Sequence, residues 1–205
     1  GSEMCIRDRY IGEAYFFRAY SYFDLLQLYG DVIITKKPLD ITDPEMKVKR
    51  NDRSEVVDLI IDDLNHAVEN LPAFKELTTE EEGRISKEGA QAFLSRVALY
   101  EGTWQKSRNG NQNTQRSANL LDIAAKAART VIDAKYGYTF RLFGTDSETK
   151  ILGDSAQKYM FILENEKSNP AGIKKSSNHE YIFARRHDQV LASIGKNTVS
   201  YTHLR

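Results

Sequence analysis

The sequence has little of several features that mark particular classes of protein. It holds a single cysteine, Cys5, among 205 residues, so a disulfide within the chain is excluded and a cysteine-based zinc site has too few ligands. Lysine plus arginine equal aspartate plus glutamate, at 29 each. The chain therefore has no net positive charge that would attract it to nucleic acid. No apolar run approaches the ~20 residues that a membrane-spanning helix needs.

Motifs for catalysis and for cofactor binding are also absent. Neither GxxxxGK nor GxGxxG occurs, and no serine lies in a nucleophile elbow. The histidines lack the i, i+4 spacing and the cysteine partners of metal sites; they are His66, His179, His187 and His203. A cluster of His179 with His187 and Asp188 has only weak support from their spacing. The sequence therefore predicts no enzyme, no cofactor and no metal centre.

Aromatic side chains are plentiful, and residues 12–31, GEAYFFRAYSYFDLLQLYGD, contain seven of them. Helical spacing predicts a helix over residues 13–29, ended by Gly30, with one broad apolar arc. The arc comprises Tyr15, Phe16, Ala19, Tyr22, Phe23, Leu25, Leu26 and Tyr29. Rings at this spacing are usually core, so we expect a buried face rather than a stacking surface for sugars or bases. Only Phe17 and Tyr20 stay open to either interpretation.

Charged residues on the predicted helices lead to two expectations. Arg18 falls inside the apolar arc, and a buried guanidinium must be paired, so we expect a carboxylate or carbonyl groups to contact it. The next helix has an acidic outer face that matches no calcium loop, and we expect that face to be solvated. Its members are Glu55, Asp58, Asp62, Asp63 and Glu69.

Three more helices are predicted from apolar residues at helical spacing. The first begins near Asp52, which suggests a capping box with Glu55, and stops at Pro72. The second covers residues 86–101, and its small residues suit close helix pairing. The third covers residues 117–134. The spacing of these helices is close to the ~34-residue period of tetratricopeptide repeats, although that period counts helix pairs.

Beyond Lys135 the pattern changes. YGYTFRLF and EYIFARR alternate as β-strands do, with a short helix predicted over residues 156–164 between them. The predicted fold is therefore mainly α, with tetratricopeptide-like helical hairpins and a minor β or irregular C-terminal portion. A basic patch of Arg185, Arg186 and His187 is most simply a solvated strand end.

Trp104, the only tryptophan, suggests two roles. It is predicted to follow the third helix at the mouth of a long loop, QKSRNGNQNTQRS. There its ring would stack on a sugar or plug the end of a helical hairpin, and the plug is favoured because a lone tryptophan beside an apolar helix is commonly a packing anchor. The candidate binding rim is Trp104 with Asn109, Asn111 and Asn113.

Five strings, in this order, resemble the core of SusD/RagB-type outer-membrane lipoproteins. They are GEAYFFRAYSYFDLLQLYGDV, RSEVVDLIIDDLNHAVENLP, GRISKEGAQAFLSRVALYEGTW, the alanine-rich helix ending in VID and GY, and NHEYIFA. The ends differ: residues 1–9 and 199–205 resemble translated sequencing-adaptor remnants, and we expect both to be non-native. Residues 10–135 are then a helical-repeat scaffold, and residues 136–198 the start of a mixed α/β portion.

This resemblance implies a non-catalytic nutrient-binding protein on the cell surface. Family members cap a SusC-like, TonB-dependent outer-membrane transporter and hand it oligosaccharides, or sometimes peptides. The resemblance also implies a lipid anchor at an N-terminus missing from this sequence, and it transfers no binding residue. The alternative is a tetratricopeptide-like adaptor that holds a partner peptide in a groove. An adaptor array is expected to keep a constant repeat length. This chain instead inserts a long loop after the third helix and changes from a helical to an alternating pattern beyond Lys135.

Overall fold

The computed structural model describes residues 3–78, 81, 83–108, 114–163, 167–174 and 177–183, and the chain is mostly helical. Its α-helices are α1 (Glu3–Tyr29), α2 (Arg53–Asn70), α3 (Lys87–Arg108), α4 (Thr114–Ile132) and α5 (Ala156–Met160). α1 packs against α2, α2 against α3, and α3 against α4. The mainly α fold is confirmed, while the tetratricopeptide-like pairing stays a prediction. Within the described part, no helix is both long and apolar enough to cross a bilayer.

The helix ends follow from local chemistry. Gly30, with φ +71°, follows α1 and donates its N–H to the Leu26 carbonyl at 3.0 Å, as predicted for a left-handed glycine after a helix. Asp52 caps α2 by accepting the Ser54 N–H at 2.8 Å. Glu55, the other half of the predicted capping box, accepts the Asn51 side-chain amide instead.

Two helices are longer than predicted. α1 begins at Glu3, so its backbone runs through the segment that the sequence sets apart as non-native; the origin of residues 1–9 stays a prediction. α3 continues to Arg108, so its predicted end at residue 101 was wrong. Gly102 does not stop α3 because this glycine is a contact point: a Cβ there would lie 3.0 Å from the Leu121 side chain of α4. The missing Cβ allows the two helices to pack closely.

One large hydrophobic core joins the first four helices. Its buried members come from all four helices and from the segments that adjoin them, and they include Phe16, Leu26, Ile60, Leu64, Leu71, Ile85, Val97 and Leu120. Three rings of α1 (Phe16, Tyr22 and Phe23) are buried, which confirms that this helix supplies core. Leu25 and Tyr29, predicted within the buried arc, are exposed, because the burying neighbours cover a narrower face than the sequence indicates.

A partly buried ion pair links α1 to α2. Arg18 donates from Nε and Nη2 to the two carboxylate oxygens of Asp63, at 2.7 and 2.5 Å. The Asp63 side chain is fully buried, so the expectation that it lies on a solvated acidic face was wrong, while the expected carboxylate partner of Arg18 is confirmed. The hydrogen bond to Asp63 raises the pKa of Arg18 further, against the opposing effect of burial.

The portion beyond α4 is built differently. Among residues 136–163, 167–174 and 177–183 there is no β-strand, so of the predicted β or irregular portion the described part is irregular. The two alternating segments approach at a hydrogen bond from Arg141 N–H to the His179 carbonyl, 3.1 Å, without a ladder. A small apolar cluster forms the core here: Phe143, Leu152, Ala156, Leu163 and Ile173. The predicted short helix is present as α5, but it ends at Met160, so its predicted extent to residue 164 was too long.

Candidate functional site

Trp104 lies within α3 rather than after it, so the predicted position at a loop mouth was wrong by one helical turn. Its ring is contacted by two guanidinium groups, with the Cζ of Arg53 at 4.3 Å and that of Arg108 at 4.8 Å from the ring centroid. The ring of Tyr100 lies nearly parallel to it at 6.2 Å. These contacts are cation–π and stacking interactions within the protein, and they use ring surface that a sugar would need.

The arginine beneath Trp104 is held by a buried carboxylate. Arg53 donates from Nε and Nη2 to Glu101, with Nη2 to Oε2 at 2.8 Å, and Gln105 donates to Oε1 of the same carboxylate at 2.6 Å. The Glu101 side chain is fully buried and that of Arg53 is 14% exposed. Since a buried carboxylate requires such partners, this cluster fixes the start of α2 against α3.

The other members of the predicted rim are Asn109, Asn111 and Asn113, and they lie outside the described residues. So do His187 and Asp188, which the sequence groups with His179, and the arginines of the predicted basic patch. For these residues the sequence-based expectations stay predictions.

His179 meets Tyr138 rather than a second imidazole. The Tyr138 hydroxyl and Nδ1 of His179 are hydrogen-bonded at 2.9 Å, and the two rings stack at 6.4 Å. Tyr138 also contacts the rings of Phe74 and Phe140, at 4.5 and 4.8 Å between centroids. Burial raises the pKa of Tyr138, partly offset by Arg141. This aromatic cluster joins the second portion of the chain to the segment after α2.

Beside these rings opens a polar cleft of about 350 Å³, lined among others by Tyr138, Arg141, Asp146, Glu148 and His179. Sequence reasoning missed Tyr138 and Asp146 as possible site residues. The signal for Asp146 was the DSET string, because an aspartate followed three residues later by threonine often turns the backbone through its own side chain. The signal for Tyr138 was the dense run of rings in YGYTF.

Other ionisable groups form structural pairs. Arg84 donates to Glu13 at 2.7 Å from Nε, and the hydrogen bond to Glu13 raises the pKa of this arginine against the effect of burial. Arg116 of α4 donates to Asp58 of α2 at 2.7 Å. In the described part of the chain, no group of three or more histidine, cysteine or acidic residues could hold a metal ion.

Part of the α1 aromatic surface is exposed. Phe17 and Tyr20, the two rings that the sequence could not assign, are 50% and 44% exposed. Tyr20 stacks on Phe93 of α3, at 5.3 Å and an interplanar angle of 27°. Phe16, below them, contacts both Phe93 and Phe183 edge-on. The outer rings thus continue the core to the surface rather than forming a separate stacking platform.

The comparisons with known proteins agree with one another. A SusD-like family model, described as starch-binding and associating with the outer membrane, matches residues 3–99, which cover α1, α2 and the first half of α3. SusD-like protein P38 of Formosa agariphila is 36% identical over 93 residues, which are 45% of this chain and 17% of that protein.

Solved structures extend the likeness beyond α3. A SusD-like protein from Bacteroides fragilis superposes with a TM-score of 0.62 at 27% identity, over 89% of this chain and 28% of that one. A laminarin-binding SusD-like protein gives a TM-score of 0.52 at 26% identity, over 76% and 30%. The chain spans between 17% and 32% of the length of the curated relatives it matches. The family match over residues 3–99 and the superposed structures together show that this chain is similar to SusD/RagB proteins in sequence and fold.

Proposed function

We propose that this chain is the scaffold portion of a cell-surface glycan-binding subunit that works with a SusC-like, TonB-dependent outer-membrane transporter and catalyses no reaction. The observation that carries this proposal is the family match, whose description names starch binding and the outer membrane. A laminarin-binding relative of known structure supports the carbohydrate ligand. The proposal includes a lipid anchor on the complete protein, at the outer surface of the outer membrane.

The use of the buried charges supports a non-catalytic role. Two of the three buried carboxylates of the described helical portion contact arginine: Asp63 binds Arg18, and Glu101 binds Arg53. The third, Glu88, accepts the Phe74 N–H at 2.7 Å. A general acid or base must reach a substrate, and its pKa is usually shifted toward the working pH by its surroundings. The bidentate ion pairs that arginine forms with Asp63 and Glu101 instead hold the helices together. This is expected of a rigid scaffold that carries variable loops.

The rim of Trp104, Asn109, Asn111 and Asn113 remains a proposed ligand contact. The guanidinium groups against Trp104 favour its role as a packing residue. In the complete protein, Trp104→Ala is expected to lower stability and to leave the affinity of the folded fraction for its glycan unchanged. A loss of affinity at unchanged stability would instead assign Trp104 to the binding rim.

The proposal is tested with the complete protein in its native membrane. Affinity purification is expected to recover a large transporter of the outer membrane, and isothermal titration with neutral oligosaccharides, laminarin fragments among them, is expected to show binding. Chromatography of the sugar after incubation should return it unchanged. Capture of a cytosolic peptide partner with no transporter would favour the adaptor alternative, and shortened sugar products would indicate an enzyme.

A further inference from the structure

α1 has a second face, on the side opposite the core, that is exposed in the described structure. Along this face, exposed residues follow one another at alternating steps of three and four positions. These residues, named here the α1 seam, are Arg7, Tyr10, Ala14, Phe17, Ser21 and Asp24. The spacing is that of the a and d positions of a coiled coil, which bring one stripe of a helix against a partner helix. The seam is therefore shaped to receive another α-helix.

Large and small side chains alternate along the α1 seam. Tyr10 and Phe17 are rings, 57% and 50% exposed, and each is followed four positions later by a small residue, Ala14 or Ser21. An antiparallel second copy, with its two-fold axis between residues 15 and 16, puts Phe17 opposite Ala14 and Tyr10 opposite Ser21. Each of these four inner layers then sets a ring against a small side chain. The seam is thus self-complementary, as a two-fold interface must be.

The seam side chains are held in place by neighbours within the chain. Phe17 packs edge-on against Phe16, with 5.3 Å between ring centroids, and the guanidinium of Arg84 lies over the Tyr10 ring at 4.9 Å. The Ser21 hydroxyl donates to the Phe17 carbonyl at 2.9 Å, so covering this serine leaves no unpaired donor. Side chains fixed in this way lose little conformational entropy when a partner binds.

Charge favours the antiparallel arrangement over the parallel one. Arg7 and Asp24 are exposed at the two ends of the seam, and the same two-fold axis puts Arg7 of one copy opposite Asp24 of the second. A parallel pair in register would instead bring Asp24 against Asp24 and Phe17 against Phe17, and like charges that face each other repel. Arg7 lies in the segment whose origin stays a prediction, but the four inner layers come from residues 10–21 and do not include it.

We propose that this chain self-associates as an antiparallel dimer through the α1 seam, with Phe17 of each copy packed over Ala14 of the other. A standard interface buries about 800 Å² on each partner. One stripe of a single helix supplies less than this, so the dimer is expected to be weak, with a Kd of about 10 μM to 1 mM. The seam includes neither Trp104 nor the other residues of the proposed binding rim, so the proposed glycan-binding function does not depend on it.

Sedimentation of the 205-residue chain at increasing concentration tests the association. The mean molar mass is expected to rise from that of a monomer toward that of a dimer. Ala14→Glu puts a carboxylate under the Phe17 ring in both central layers and is expected to weaken association about tenfold or more. Ala125→Glu, the same change at an exposed alanine of α4, is the control and should associate as the parent does. The inference is overturned if the chain stays monomeric, or if the folded Ala14→Glu variant associates normally.

Cross-linking with a short bismaleimide, in a Cys5→Ser background, tests the arrangement of the two copies. At a rise of 1.5 Å per residue, the antiparallel dimer offsets its two Ala14 positions by about 4–5 Å along the helices and its two Ser21 positions by about 16–17 Å. Ala14→Cys is therefore expected to yield a covalent dimer and Ser21→Cys little.

Equal yields from the two variants would indicate a parallel dimer and overturn the antiparallel arrangement. A monomeric chain whose Ala14→Cys thiol does not react with a simple maleimide would show that another segment of the chain covers the seam, which would also overturn the inference.

Discussion

The helical portion, residues 3–135, and the portion beyond it are stabilised in different ways. The first buries one continuous core among four helices and fixes it with ion pairs such as Arg53–Glu101. Among its described residues the second has a core of five buried residues. Its backbone is held by side chains, since Asn169 accepts the Ile173 N–H at 2.9 Å and donates to the Ile173 carbonyl at 2.7 Å. The comparison indicates a rigid platform carrying a region shaped by local polar contacts.

The largest expected effect comes from breaking the platform at its buried charge. Arg53→Met leaves the fully buried Glu101 carboxylate without its cation, and such a change costs about 3–5 kcal/mol. Chemical denaturation would measure the loss. The double variant Arg53→Met with Glu101→Leu is the control, since removing both charges should recover most of the stability. A single variant as stable as the parent would show that this pair does not hold α2 to α3.

A pair of leucine truncations compares the two cores directly. Leu64→Ala in the large core is expected to cost about 3–4 kcal/mol, because α1, α2 and α3 cannot all relax into the cavity. Leu163→Ala in the small cluster is expected to cost about 2 kcal/mol, since fewer elements surround it. Denaturation curves of both variants measure the difference. Equal losses would argue that the second portion is packed as tightly as the first.

Two glycines of the second portion form a matched pair. Gly144 and Gly153 both have positive φ, at +88° and +51°, but a Cβ at Gly144 would lie 2.6 Å from the Ala156 Cβ, whereas nothing lies within 4 Å at Gly153. Both alanine variants are expected to lose about 1–3 kcal/mol through backbone strain, and Gly144→Ala about 1–2 kcal/mol more from the clash. Thermal unfolding that ranks them in reverse would contradict the described turn.

The smallest effect expected is a pH dependence confined to the second portion. Burial raises the pKa of Asp146, but hydrogen bonds from the Thr149 backbone and hydroxyl and from Glu148 outweigh it, so the pKa lies below its ordinary value. Stability from this group is therefore present above the unfolded pKa and is lost as the pH falls through the folded one. Amide exchange near Thr149 should accelerate in acid in the parent protein, and Asp146→Asn should remove that dependence.

The sequence predicted the helical portion well because its signal is periodic. Apolar spacing located four helices, and the guanidinium of Arg18 within an apolar arc indicated the carboxylate that Asp63 supplies. The same reasoning could not identify Asp63 as the partner, because a buried acid and a solvated one look alike on a helix that has acids on several faces. The end of α3 was also missed, since Gly102 marks close packing against Leu121 rather than a stop.

The second portion was less predictable because its structure depends on single side chains rather than on a period. The alternation in YGYTFRLF arises from rings, among them Tyr138 and Phe140, that cluster on Phe74, a contact distant in sequence. Asp146 forms its turn through two hydrogen bonds to nearby N–H groups. Trp104 could be named as a candidate but not assigned, because its covering partner Arg53 lies on another helix.

The most direct test of this two-part account is amide hydrogen exchange measured residue by residue on the protein under native conditions. The account predicts that the buried cores of α1, α2 and α3 open only with global unfolding, whereas residues 138–163 and 167–174 open locally at a lower free energy. A single opening free energy shared by both portions, or slower exchange in the second than in the helices, would contradict it.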